Sequence, residues 1–321
     1  KKIMIKLDEY SNKFEIDYYN VAIKKIEAEV DVDEFVFACK KFISNEIINS
    51  KLSTEEYLKK LILLPYSSIK EIVESIEGEL LKYKNIVFTY NKRKDEYKMR
   101  KVFENFYGCF EKVRNSQRNG KKMSVRMVNE LGITVCPYCN RDYINTRSDS
   151  NAGSQLDHFY CRSLYPFLAV SLYNLIPACG VCNLTKLNRT NKLISPYDQK
   201  YEFNINEFLC DESTGEILWK KFDETEMREN VEVLKLKEAY KIHEDNEIKE
   251  ILNKRNIYVK SQIDEILKVL NKETGGTTRS FTEEQLKEWI YGKTISDKDY
   301  KLTSLGKLKH DILKQLGVYD E

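Results

Sequence analysis

The strongest constraint on this chain is a repeated pair of thiols. Cys136-Pro137-Tyr138-Cys139 and Cys179-Gly180-Val181-Cys182 are separated by 39 residues. Two cysteines with two residues between them fit on one tight turn and grip a single ion, and four thiolates complete the closed tetrahedral shell that zinc occupies in structural sites. Redox chemistry at each pair is the alternative; two copies bracketing one segment favour metal. Five of the eight cysteines fall between 136 and 182, and a chain of 321 residues does not need a disulfide scaffold. Cys161, between the pairs, reads as an ordinary thiol.

The bracketed segment differs from its flanks. Four of the five prolines (Pro137, Pro166, Pro177 and Pro196) lie between Gly132 and Asp198, and 148–154 is a polar loop. Roughly seventy residues with this much loop bury too little apolar surface to hold themselves in place. Zinc binding would supply the missing folding free energy. On both sides helical signals dominate. Ser53-Thr54-Glu55-Glu56 and Thr282-Glu283-Glu284-Gln285 fit capping boxes. Ile69, Ile72, Val73 and Ile76 keep helical spacing in a helix expected to start at Ser67, after Pro65. The same spacing runs from Ile248 to Leu270 until Gly275-Gly276 breaks it, and a last helix should end near Gly317. Three regions are therefore expected: a helical one over 1–131, a small zinc-stabilised α+β module over 132–200, and a second helical one over 201–321, a mainly α protein.

Lys and Arg number 53 against 51 Asp and Glu, a net charge of +2, but the balance is uneven. The window 92–126 holds twelve basic residues and four acidic ones, +8, which leaves the rest of the chain at −6. Phe103, Phe106, Tyr107 and Phe110 lie among these charges, on what should be the buried face of a helix. The charges then form either a solvated face or a surface for a polyanion. With 41% hydrophobic and 12% aromatic residues the chain is a folded globule and not a solvated tail. No apolar run approaches the ~18 residues of a membrane span, and no apolar stretch follows the basic start, so neither a membrane segment nor a secretory signal is expected and the cytoplasm is the expected compartment. Lys1 is not an initiating residue, so a start further upstream is expected.

Inside the bracket stands Leu156-Asp157-His158-Phe159, with Asn174 sixteen positions after His158 and Asn183 directly after Cys182. Through Cys136-x-x-Cys139, Leu156-Asp157-His158, Asn174-Leu175-Ile176-Pro177-Ala178-Cys179-x-x-Cys182-Asn183 and Lys186, the chain resembles the HNH, or ββα-metal, endonuclease family over about a fifth of its length. The stretch from Leu156 through Tyr165-Pro166-Phe167 to Asn174-Leu175 looks in particular like the HNH nucleases of bacterial anti-phage systems, including Septu-type subunits that work with an ATPase partner.

The resemblance implies roles by position. His158 becomes the general base for water, Asn174 the residue that organises the loop and orients the histidine, and Asp157 and Asn183 the protein ligands of a catalytic divalent ion. Asn183 stands where the family often has histidine. An amide and a carboxylate make an oxygen-only pair suited to Mg²⁺ or Mn²⁺ and not to catalytic zinc. Lys186 and Arg162, with Lys121 and Lys122 of the basic segment, are the expected nucleic-acid contacts. The implied substrate is DNA, with RNA as an alternative. A zinc-stabilised module that binds nucleic acid or a protein without cleaving is the reading from another class. His243 and His310, isolated among helical residues, are expected to pack or lie at the surface.

Overall fold

Several helices in this protein begin where a side chain caps them. In the computed structural model, which describes residues 4–87, 94–189, 192–201, 207–273, 280–296 and 299–319, Ser11 Oγ accepts the Phe14 N–H at the start of helix α1 (Asn12–Glu27) and Asp31 accepts that of Glu34 at α2 (Val32–Cys39). The expected capping box forms at Ser53 and Glu56, and opens α3 (Thr54–Ile62). Helix α4 (Tyr66–Gly78) starts directly after Pro65 instead of at Ser67, because Tyr66 itself is buried and proline presets the backbone angle at the helix entrance.

By contact the chain divides into two units. The larger comprises Lys6–Pro137 and Asp142–Tyr201, and the other Lys1–Ile5, Tyr138–Arg141 and Glu202–Glu321. In the larger unit, α5 (Leu80–Val87) and α6 (Lys94–Asn115) are followed by a hairpin of β1 (Gln117–Arg118) and β2 (Lys121–Lys122). Its two-residue turn, Asn119-Gly120, has positive φ at both positions, as a tight right-twisted hairpin requires. Then come α7 (Met123–Leu131), β3 (Gln155–His158), β4 (Leu175–Ala178) and α8 (Gly180–Lys186). Strands β3 and β4 pair antiparallel, with Asp157 opposite Ile176 and His158 opposite Leu175.

The proline-rich segment shares its core with the N-terminal helices. Phe167 meets Phe42 and Tyr83 edge-on at 5.1 and 6.1 Å, and Phe159 meets Tyr66 at 5.7 Å. A loop that carries Phe159, Tyr160, Phe167 and Tyr173 cannot cover them by itself, so helices read separately in the sequence supply the cover. Phe103, Phe106 and Phe110 lie on the buried face of α6 as expected, with Phe106 stacked on Phe35 at 4.1 Å, whereas Tyr107, expected on the same face, is half-exposed at its edge. The charges of the same window are less available than the sequence suggests. Arg118 and Arg126 both bind Asp17, Lys112 binds Glu29, Arg114 binds Glu111 and Lys121 binds Asp149. Lys92 and Arg93 lie outside the described residues.

The second unit holds α9 (Lys220–Asp223), α10 (Arg228–Val233), α11 (Leu236–His243), α12 (Lys249–Ile257), α13 (Lys260–Glu273), α14 (Glu283–Tyr291) and α15 (Gly306–Gln315). The expected capping box at Thr282 is present. The single helical stretch expected from Ile248 to Leu270 is instead broken at Tyr258, where ψ swings to 61°, and α13 packs separately on α14. Gly275-Gly276 lie outside the described residues. Asn140, with φ of 48°, is fully buried here: its amide donates to the Tyr300 and Thr303 carbonyls, and its side-chain oxygen accepts the Lys307 N–H of the first turn of α15. Among the described residues no helix is long and apolar enough to cross a membrane.

Lys307 and Asp311 form a fully buried ion pair in this unit, and Asp311 also accepts the Phe208 N–H at 2.9 Å. Removing one member leaves the other charge in the core without compensation, so Asp311→Ala should cost about 3–5 kcal/mol. In urea denaturation the double variant Lys307→Met with Asp311→Leu should recover the part of that loss due to the stranded charge, but not the part due to the Phe208 N–H, which loses its acceptor. A single variant as stable as the parent would refute the assignment.

Candidate functional site

Cys136, Cys139, Cys179 and Cys182 are all buried, and their sulfur atoms lie within 4.8 Å of one another. Four thiolates at ~2.3 Å from a tetrahedral zinc stand about 3.8 Å apart, so this cluster could hold a metal such as zinc with little adjustment. Backbone amides already serve the sulfurs: Cys179 N–H donates to Cys136 Sγ at 3.3 Å, and Cys182 N–H to Cys179 Sγ at 3.4 Å. The second contact makes Cys179 the N-cap of α8. Cys161 is buried but does not join the cluster.

Strand β3 ends at His158, and the chain then leaves through the loop 159–174 before returning as β4. The loop is held from within by Asn174, whose side chain is wholly buried. Its Nδ2 donates to the carbonyls of Tyr160 (3.0 Å) and Leu168 (3.1 Å), and its Oδ1 accepts the Tyr160 N–H at 2.8 Å. This clamp sets the neighbouring Ala169 carbonyl 2.9 Å from His158 Nε2. A carbonyl can only accept, so Nε2 carries the proton and the lone pair resides on Nδ1. The ring of Phe110, from α6, meets the imidazole edge-on at 4.4 Å. Burial holds the imidazolium pKa down to about 3; the charges of Arg162, Lys186 and Arg114 push the same way, and the Ala169 carbonyl opposes them. At neutral pH the imidazole is a neutral acceptor.

Lys186 is not at the surface. It is wholly buried, with Nζ 3.2 and 3.1 Å from the two oxygens of Asp157 and 3.0 Å from the His158 carbonyl. The expectation that it reaches a phosphate is corrected: one turn beyond Asn183 points into the packing of α8 on β3, and the ammonium neutralises the nearby carboxylate. Asn183, half-buried, turns its Nδ2 to Gln155 Oε1 at 2.7 Å.

Asp157, His158, Asn183 and Arg162 line one cleft of about 540 Å³ together with Tyr107, Phe110 and Arg114 of α6. Arg162 lays its guanidinium over the rings of Tyr107 at 4.2 Å and Phe110 at 5.1 Å. Lys121 and Lys122 stand on the β1–β2 hairpin and are not among the residues of this cleft. The sequence reading did not assign Phe110, Gln155 or Arg114 to the site. Only Phe110 and Arg114 carried a signal, as part of the aromatic and basic run before the module. His243 and His310 pack as expected: Arg141 Nε donates to His243 Nε2, His243 Nδ1 faces Glu247, and His310 Nδ1 faces the Ile295 carbonyl.

No protein-family model matches the chain, and neither a curated protein nor a solved structure does.

Two outcomes follow from this geometry. Elemental analysis should find one zinc per chain; Cys179→Ser should lose it and melt at lower temperature, whereas Cys161→Ser should keep both zinc and stability. Lys186→Met strands the Asp157 carboxylate in the interior and should destabilise the fold by about 3–5 kcal/mol. An unchanged melting temperature for Lys186→Met would show that this ion pair does not form.

Proposed function

We propose that the protein is a metal-dependent endonuclease of HNH type, in which a zinc-stabilised ββα-metal core hydrolyses phosphodiester bonds of DNA. The observation that carries the reading is the network Asn174–loop–Ala169–His158. It presents an unprotonated imidazole nitrogen in the same cleft as a carboxylate, an amide and a guanidinium. His158 Nδ1 accepts the proton of an attacking water; burial disfavours the imidazolium that forms, and the Ala169 carbonyl and the negative charge of the bound phosphate offset that cost. Arg162 binds a non-bridging phosphate oxygen through the edge of its guanidinium while its face stays stacked on Tyr107.

Asp157 and Asn183 are the residues that would hold a hard divalent ion, since both offer oxygen donors. Gln155 engages the amide nitrogen of Asn183, which leaves the amide oxygen for a cation, and a carboxylate has lone pairs enough for both Lys186 and an ion. When bound, Mg²⁺ or Mn²⁺ neutralises charge on the phosphate and on the leaving 3′ oxygen. Lys186 already compensates Asp157, so such an ion is held weakly and only with substrate. The likeness to Septu-type nucleases extends the proposal to an anti-phage effector in the cytoplasm that works with an ATPase subunit.

One observation favours a second reading. The buried pairing of Lys186 with Asp157 would suit a zinc-stabilised module that binds nucleic acid or protein without cleaving. Plasmid DNA incubated with Mg²⁺ or Mn²⁺ separates the two. The parent should nick it, and His158→Ala should lose at least ~100-fold in rate, the usual contribution of a general base. Equal background from both proteins would establish the binder. Transfer RNA as the alternative substrate decides between DNA and RNA.

A further inference from the structure

The cleft at His158 has a neighbour that the proposed chemistry does not use. Val87, Phe103, Tyr107 and Pro166 line an open cavity of about 270 Å³, with Arg162, Ser163 and Glu104 completing its lining. Tyr107, Arg162 and Ser163 line both cavities, so the stacked pair of Arg162 on Tyr107 is the wall between them. The two sides of that wall differ in chemistry. The cleft side carries His158, Asp157 and Arg114. The other side is walled by apolar and aromatic side chains and carries a carboxylate, Glu104, which disfavours a phosphate there.

We propose that this side cavity is a nucleobase subsite: it takes the unstacked base of the nucleotide whose phosphate lies in the His158 cleft, so the substrate is single-stranded or locally unpaired nucleic acid. The proposal rests on the nuclease reading for its phosphate but not for its base. Three features support it. The volume is below the ~300 Å³ at which pockets for drug-sized ligands begin, and so has room for one ring system and not for a dinucleotide. The lining combines the stacked pair of Tyr107 and Arg162 with the apolar Val87 and Pro166, and aromatic rings and guanidinium planes are the groups on which unpaired bases stack. The shared Arg162 can meet a phosphate with its edge while its plane borders the base cavity, which matches the connection of phosphate to base within a single nucleotide. A base inside a duplex cannot enter without leaving its stack, so paired DNA binds only at the cost of unpairing.

The test uses the full-length His158→Ala protein, so that binding is read without cleavage, and a short single-stranded DNA carrying one 2-aminopurine. Titration should quench the 2-aminopurine fluorescence, and an otherwise identical strand with an abasic site at that position should bind about tenfold to hundredfold more weakly, the usual worth of one stacked base. Ser163 is exposed, so Ser163→Trp fills the cavity from its rim and should abolish the difference between the two strands. Tyr107→Leu, which removes the stacking wall, should do the same if the tryptophan variant fails to fold. Equal affinity for base-containing and abasic strands overturns the proposal, and leaves the cavity to an apolar side chain of a partner protein. Quenching by a protein whose parent cleaves nothing would instead refute the nuclease reading and keep the subsite. Cleavage of duplex and abasic strands at full rate would do the reverse.

Discussion

The geometry of the cleft depends on one buried carboxamide. Asn174 spends both hydrogens and its oxygen on the backbone of a single loop, so Tyr160 and Leu168 cannot move apart without exposing unpaired groups in the interior. Each such loss costs about 1–3 kcal/mol, and three would fail together. The loop is long and contains two short 3₁₀ turns, Pro166–Leu168 and Leu172–Asn174, which makes it irregular enough to need an internal brace. Aromatic cover from the N-terminal helices fixes its outer side, and Asn174 its inner side. Between them the Ala169 carbonyl has one place to be, and with it the tautomer of His158 is determined.

Features that depend on near neighbours in the chain were legible in the sequence. The capping boxes at Ser53 and Thr282 and the convergence of the four thiols follow from spacings of two or three residues, whose physics is local. What was misread depends on distant partners. Lys186 has the look of a surface lysine because a lysine near the end of a short helix is usually solvated, yet its environment is set by Asp157, twenty-nine residues earlier. In the basic window, where a solvated face and a polyanion surface were both open, Arg114 and Lys121 pair with acids nearby in the chain, but the acids that meet Lys112 and Arg126, Glu29 and Asp17, lie 83 and 109 residues earlier. Phe110 showed its aromatic character but not its target, His158, since nothing in a helical period tells which loop the helix will face.

The pairing of Lys186 with Asp157 shapes the electrostatics of the cleft. A carboxylate almost without solvent contact is tolerable only with compensation, and an ammonium that also satisfies the His158 carbonyl provides it without water. The pair is close to neutral, so the net positive character of the cleft comes from Arg162 and Arg114, the latter itself shared with Glu111. The guanidinium planes of Arg162 and Arg114 lie over aromatic rings, so their orientation does not depend on carboxylates alone.

Helix α8 ties the thiol cluster to the cleft. Seven residues are too few for a helix to persist by itself, because the cost of the first turn is recovered only over many more. It therefore has to be held at both ends. At its start the Cys179 sulfur caps the Cys182 amide, and both thiols belong to the four that could take a metal. At its end Lys186 is anchored to β3 through Asp157 and the His158 carbonyl. Asn183 lies between these two anchors, one residue beyond the second thiol, and its position in the cleft is determined by them and not by contacts of its own beyond Gln155. A metal in the thiol cluster would act on the cleft without entering it: by fixing the first turn of α8 it fixes the only segment that carries both Asn183 and the cation facing Asp157.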